Sequence, residues 1–130
     1  MKFNTILMFF VLAFMAISFT SCDKDDVVNY ADDLPGTYEN ALYGDVNVEG
    51  AINVITLSSK GDSEALTKNL VVKITDKTTE KTAGVETVRY STNNNEVDIY
   101  RIGDLITIKV TSAEYVQNPT NLYIGTKRVK

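Results

Sequence analysis

The sequence predicts an all-β domain: a small antiparallel β-barrel, or an incompletely closed β-sandwich, of about seven to eight strands. Three observations carry that expectation. Val, Ile and Thr number 13, 8 and 13 within residues 22–130, close to a third of that stretch, and β-branched side chains favour a pleated surface. Gly36, Gly44, Gly61, Gly84 and Gly103 punctuate short apolar runs, and no window shows an apolar period of 3.6. Two hairpins, read independently, also agree on which strand face is apolar.

The first residues read as an address. Lys2 precedes twelve uninterrupted apolar residues, 6–17. A membrane span takes about 20, whereas twelve suits a signal-peptide core. Phe19-Thr20-Ser21-Cys22 follows and resembles a bacterial lipobox, in which small residues precede a cysteine that is acylated and becomes the new N-terminus. The resemblance implies that residues 1–21 are a lipoprotein signal peptide. It also implies that Cys22, the one cysteine, carries palmitate-type lipid, with no other cofactor. Several acyl chains hold a protein on a membrane where one does so marginally. Asp23-Lys24-Asp25-Asp26 is similar to the acidic export signal of Bacteroidota surface lipoproteins. Lys24, Asp25 and Asp26 would then direct the protein to the outer membrane, lipid-anchored and facing the cell exterior. Residues 22–33 form the lipidated cysteine and an acidic tether, whose composition favours poor order. Residues 34–130 form the domain.

Candidate strands are 37–43, 46–48 running on to 51–57, 66–75, 85–91, 96–102, 105–111 and 121–129. A two-residue Asn93-Asn94 loop pairs Tyr90 with Val97, Val88 with Ile99 and Glu86 with Arg101, and sets Arg89 opposite Asp98. Gly103-Asp104 suits a type II′ turn and pairs Ile99 with Ile108, Val97 with Val110 and Asp98 with Lys109. Both registers turn Val88, Tyr90, Val97, Ile99, Ile106, Ile108 and Val110 inward. A slip of one residue would expose them all. Leu70, Val72 and Ile74 should be core. A Gly44-Asp45 turn would bring Tyr43 to Val46, leaving Tyr38 and Leu42 on the opposite face, and Gly50 suggests a bulge.

Composition excludes much chemistry. Residues 22–130 contain no His, Met, Phe or Trp, so histidine catalysis, Cys/His zinc sites and haem ligation are closed. They carry all 17 acidic residues and every basic residue except Lys2, and this acidic balance disfavours a nucleic-acid partner. The glycines form neither GxxxxGK nor GxGxxG, and Ser58, Ser59 and Ser63 have no histidine to activate them. No catalytic or metal-ligating residue is expected, and the chain is read as non-enzymatic. Glu86 and Arg101 fall on the inward face at one end of the meander, where a charged pair either bridges the rim or orients a ligand at a cavity mouth. Tyrosine, the only aromatic type after residue 21, combines a flat apolar face with a hydroxyl. Tyr38 and Tyr90 join Glu86 and Arg101 as candidate ligand-binding residues.

Leu34-Pro35-Gly36-Thr37-Tyr38-Glu39-Asn40-Ala41-Leu42 resembles the opening strand of calycin-like or lipocalin-like domains, with Asn40 in place of a second glycine. Tyr123-Ile124-Gly125-Thr126-Lys127 is similar to their aromatic-x-Gly-Thr-Lys closing strand. The resemblance implies a barrel whose first and last strands are neighbours. Function is then expected to be that of a surface-exposed binding or accessory module. Its partners would be the membrane through the anchor, together with a small ligand (a glycan or lipid) or an envelope protein. The alternative is a structural or interaction subunit of an envelope assembly with no small-molecule pocket.

Overall fold

The structure, a computed structural model, describes residues 28–117 and 120–129. Residues 1–21, expected to be a signal peptide, and Cys22, Lys24, Asp25 and Asp26 lie outside the described residues. Eight strands follow in order: β1 (Gly36–Tyr38), β2 (Val46–Ala51), β3 (Val54–Ser59), β4 (Leu70–Thr82), β5 (Val85–Thr92), β6 (Val97–Ile102), β7 (Leu105–Val110) and β8 (Tyr123–Arg128). Each pairs antiparallel with the next, and β1 meets β8 through a single bridge, Glu39 with Thr126. The fold is therefore an up-and-down barrel, nearly closed, with one unsealed seam.

The β6–β7 hairpin has the expected register, from Val97↔Val110 to Ile102↔Leu105. Gly103 has φ 62° and Asp104 is not among the positive-φ residues, as a type II′ turn requires. The β5–β6 register differs from the expectation by two residues: Tyr90 pairs with Ile99 and Val88 with Arg101. The reason is local. Thr92 Oγ1 accepts from Asn94 N and donates to Asn94 O, Asn94 Oδ1 accepts from Glu96 N, and Asn93 bonds backbone N–H and C=O of Lys73. These side chain–backbone bonds stabilise a four-residue loop over the two-residue turn. A shift of two preserves strand parity, so all seven expected inward residues are buried. Arg89 now pairs with Tyr100 and reaches Asp98 diagonally, at 2.9 Å.

Elsewhere the expected spans change. The run expected to continue through residues 46–57 breaks at Ile52-Asn53, with Asn53 at φ 59°. Gly50 pairs in register with Ile55 and makes no bulge; a Cβ there would stand 2.7 Å from Pro35 Cγ, so the glycine serves close packing. Tyr38, not Tyr43, pairs with Val46, and Tyr38 is fully buried while Leu42 is 82% exposed. β4 starts four residues later than expected and ends seven later. Its start moves because Leu66 bridges Val116. Its end moves because Ala83 and Gly84 both adopt positive φ and extend the β4–β5 hairpin past a bulge between Ile74 and Asp76.

Alternation fills the interior. Val46, Val48, Ile55, Leu57, Val72, Ile74, Ile99, Ile106, Ile108 and Tyr123 are each 3% exposed or less. At one end, here called proximal, lie the β2–β3, β4–β5 and β6–β7 turns and residues 28–35, with Ala31 and Leu34 buried as a plug. At the distal end Ala65, Leu66 and Val116 close the barrel. The chain joins the fold before Leu34, where the tether was expected to end. Val28 O and Asn29 Oδ1 accept from Asn53 Nδ2 and N, and Tyr30 N donates to Asn53 Oδ1.

Candidate functional site

Four of the expected site residues meet at the proximal end, around the plug. Arg101 Nη2 donates to Glu86 Oε1 at 3.1 Å, diagonally across β5 and β6 because Glu86 O accepts from Gly103 N. Arg101 is the more buried partner, and its Nε is buried with no hydrogen-bond partner among the described residues. Tyr90 OH donates to both carboxylate oxygens of Asp33, at 2.8 and 2.9 Å, and Lys77 Nζ stands 5.6 Å from the Tyr90 ring centre. Tyr38 OH donates to Leu34 O at 2.7 Å. Two tyrosines on different strands thus fasten the plug: one holds its backbone, the other its carboxylate.

Burial first, then the hydrogen bond and charge of Asp33, push the Tyr90 phenol well above its ordinary pKa, with Arg101 opposing. Burial likewise raises Tyr38, with Tyr90, Asp33 and Tyr123 adding to it. An upward shift favours the protonated phenol, the form in which both hydroxyls donate to the plug. Among the described residues, no group of three or more His, Cys, Asp or Glu is placed to hold a metal ion. Asp33 was hidden from sequence reading because an acidic run looks like a solvated tether; only its contact with Tyr90 marks it out.

The two motifs at the chain's ends meet at the seam. Lys127 lays its stem across Gly36, whose added Cβ would stand 2.7 Å from Lys127 Cδ. Tyr123 OH donates to Tyr38 O at 3.2 Å. The Tyr123 ring folds over Gly125, where a Cβ would lie 2.7 Å from ring atoms Cε2 and Cζ. Glu39 and Thr126 exchange backbone bonds of 2.8 and 3.2 Å. Glycine at both places lets a long side chain cover a gap that strand pairing leaves open. Gly125→Ala should displace the Tyr123 ring and lower stability by about 1–3 kcal/mol, as overpacking does. An unchanged urea midpoint would show that the ring does not seal the seam.

Concavities open on the outer surface. At the distal end a groove of about 430 Å³ is lined by Asn40, Ala41, Leu42, Tyr43, Leu122 and Ile124, beside another that runs to Asp62, Ser63 and Glu64. A third, lined by Thr37, Glu39, Leu105 and Thr126 among others, follows the seam. Fold and seam together define a small antiparallel barrel, filled within, whose recesses are external. No family model, curated protein or solved structure matches this chain.

Proposed function

We propose that this chain is an outer-membrane lipoprotein, anchored through lipid on Cys22 and displayed on the cell exterior. It acts there as a non-enzymatic accessory module that makes its contacts through its outer surface. The observation that carries the second half of this reading is the filled interior: Tyr38, Ile55, Leu57, Ile99, Ile108 and Tyr123 occupy the space a ligand would need. An eight-stranded barrel has room either for side chains or for one small ligand. Among the described residues no strand pairs with the edge of β4 from Asp76 to Thr82 on the β3 side, which supports an interaction role. Asp76, Lys77, Glu80 and Lys81 on that edge deter unspecific pairing. The anchor rests on the lipobox-like run ending at Cys22 and on its resemblance to known lipoprotein signals.

The alternative, a glycan or lipid ligand, is carried by the external groove beside Leu42 and Ile124, which is predominantly apolar in character. Intact-mass analysis of protein purified from membranes separates the parts. The expected species begins at an acylated Cys22 and carries no other bound small molecule. Cys22→Ala should release or mislocalise the protein. Replacing Lys24, Asp25 and Asp26 by alanine should keep acylation but abolish cleavage by protease added to whole cells. An unmodified Cys22 removes the lipoprotein reading, and a co-purifying glycan or lipid moves the function to the groove.

A further inference from the structure

We infer that the proximal end of the barrel faces the lipid bilayer, with the tip of the β4–β5 hairpin dipping into the headgroup region. This inference rests on the lipid-anchored reading above. Among the described residues seven large apolar side chains are exposed, and four of them, Val28, Ile52, Val85 and Ile102, belong to the proximal end. Each sits at a place where a polar residue would be the default. Ile52 is in the β2–β3 turn, Val85 opens β5 directly after Ala83-Gly84, and Ile102 closes β6 before Gly103-Asp104. Val28 is tied to the β2–β3 turn through Asn53.

Val85 and Ile102 form one patch. Thr87 pairs with Ile102, so Val85 lies two residues, about 7 Å, further out on the adjacent strand and, by parity, on the same outer face. β6 reaches only Thr87 and β3 only Lys73, so the hairpin tip projects past its neighbours. The turn carboxylate nearest this patch, Asp104, is paired with Arg128 at 2.7 Å, which reduces the cost of bringing it to a membrane surface.

The length of the preceding chain identifies the bilayer as the occupant. Cys22 and Val28 are six residues apart, a span of at most about 21 Å fully extended. Lipid on Cys22 would hold the end from which Val28 emerges close to the membrane. Two or three exposed aliphatic side chains bind a bilayer weakly by themselves, but tethering makes the contact intramolecular. The acidic groove at Asp62 and Glu64 would point away from the membrane.

The chain has no tryptophan, so single tryptophans report depth without background. Full-length Val85→Trp, Ile102→Trp and Leu42→Trp variants would be purified from membranes in detergent and reconstituted into phosphatidylcholine–phosphatidylglycerol vesicles containing brominated lipid. All three positions are exposed, and a melting transition matching the parent confirms each fold. Quenching at Val85→Trp and Ile102→Trp at least twofold stronger than at Leu42→Trp is the expected result. Equal quenching at all three, or stronger quenching at Leu42→Trp, overturns the inference. No quenching at Val85→Trp or Ile102→Trp overturns it too, and leaves that end for a protein partner or a second copy. Failure of the anchor is read separately: if the mass of Cys22 shows no acyl group, the same thiol is coupled to a maleimide lipid and the quenching comparison repeated.

Discussion

Ile99→Ala is expected to destabilise the fold by about 2–5 kcal/mol, through lost burial and the cavity left behind. Ile99 is fully buried between Tyr90 of β5 and Ile108 of β7, so its loss opens a void at the centre of the meander. Its neighbour Asp98 points to the opposite face, with a side chain 47% exposed and bonded to Arg89, itself 61% exposed. Asp98→Ala should cost about 1 kcal/mol or less, because exposed cross-strand ion pairs contribute little. Urea melts of the two variants check both values. Equal losses would mean that the alternation assigned to β6 is wrong, and the inward placement of Arg101 with it.

Steep alkaline unfolding is the second large effect. The phenols of Tyr38, Tyr90 and Tyr123 are all raised, in each case mainly by burial. Asp33 adds to the shift at Tyr38 and Tyr90, and Asp45 adds to it at Tyr123. A folded-state pKa above the unfolded value of about 10 means that only the unfolded chain ionises readily. The stabilisation is complete below pH 10 and declines as pH rises above it toward the folded values. Each phenol contributes a slope of about 1.4 kcal/mol per pH unit, so three give about 4. A domain of ordinary stability then unfolds within a few pH units of 10. Of the tyrosinate absorbance near 295 nm, the part that belongs to these three of the seven tyrosines should appear together with the loss of far-ultraviolet circular dichroism, and Tyr90→Phe should remove about a third of the slope. Full tyrosinate absorbance with the fold intact would contradict the assigned burial.

The seam shows why parts of this molecule were legible in sequence and others were not. Gly36-Thr37-Tyr38 and Tyr123-x-Gly125-Thr126-Lys127 stand out as short motifs, yet their physical basis is a contact between residues more than 80 positions apart. The candidate site divides the same way. Register arithmetic places Glu86 and Arg101 together, and the two-residue difference in the observed register leaves their proximity intact because facing depends on parity. Asp33 and Asn53, which fasten the plug, had no local signal, since acidic and amide residues before or within turns are ordinary solvated choices.

Alternating β-branched residues, the Gly103-Asp104 turn and the near absence of helical periodicity determined by themselves that this chain forms antiparallel strands with a known inward face. Those are nearest-neighbour properties: a pleat has period two, and a tight turn links strands a few residues apart. Tertiary structure decided for the barrel over the incompletely closed sandwich, limited the meeting of first and last strands, which the motif resemblance implies, to one bridge, and set residues 28–34 as a plug at the proximal end. Closure depends on strand stagger and on side chains that fill or cover gaps between distant segments, such as Tyr123 over Gly125 and Tyr90 on Asp33. No local pattern of residues encodes which of those segments will meet.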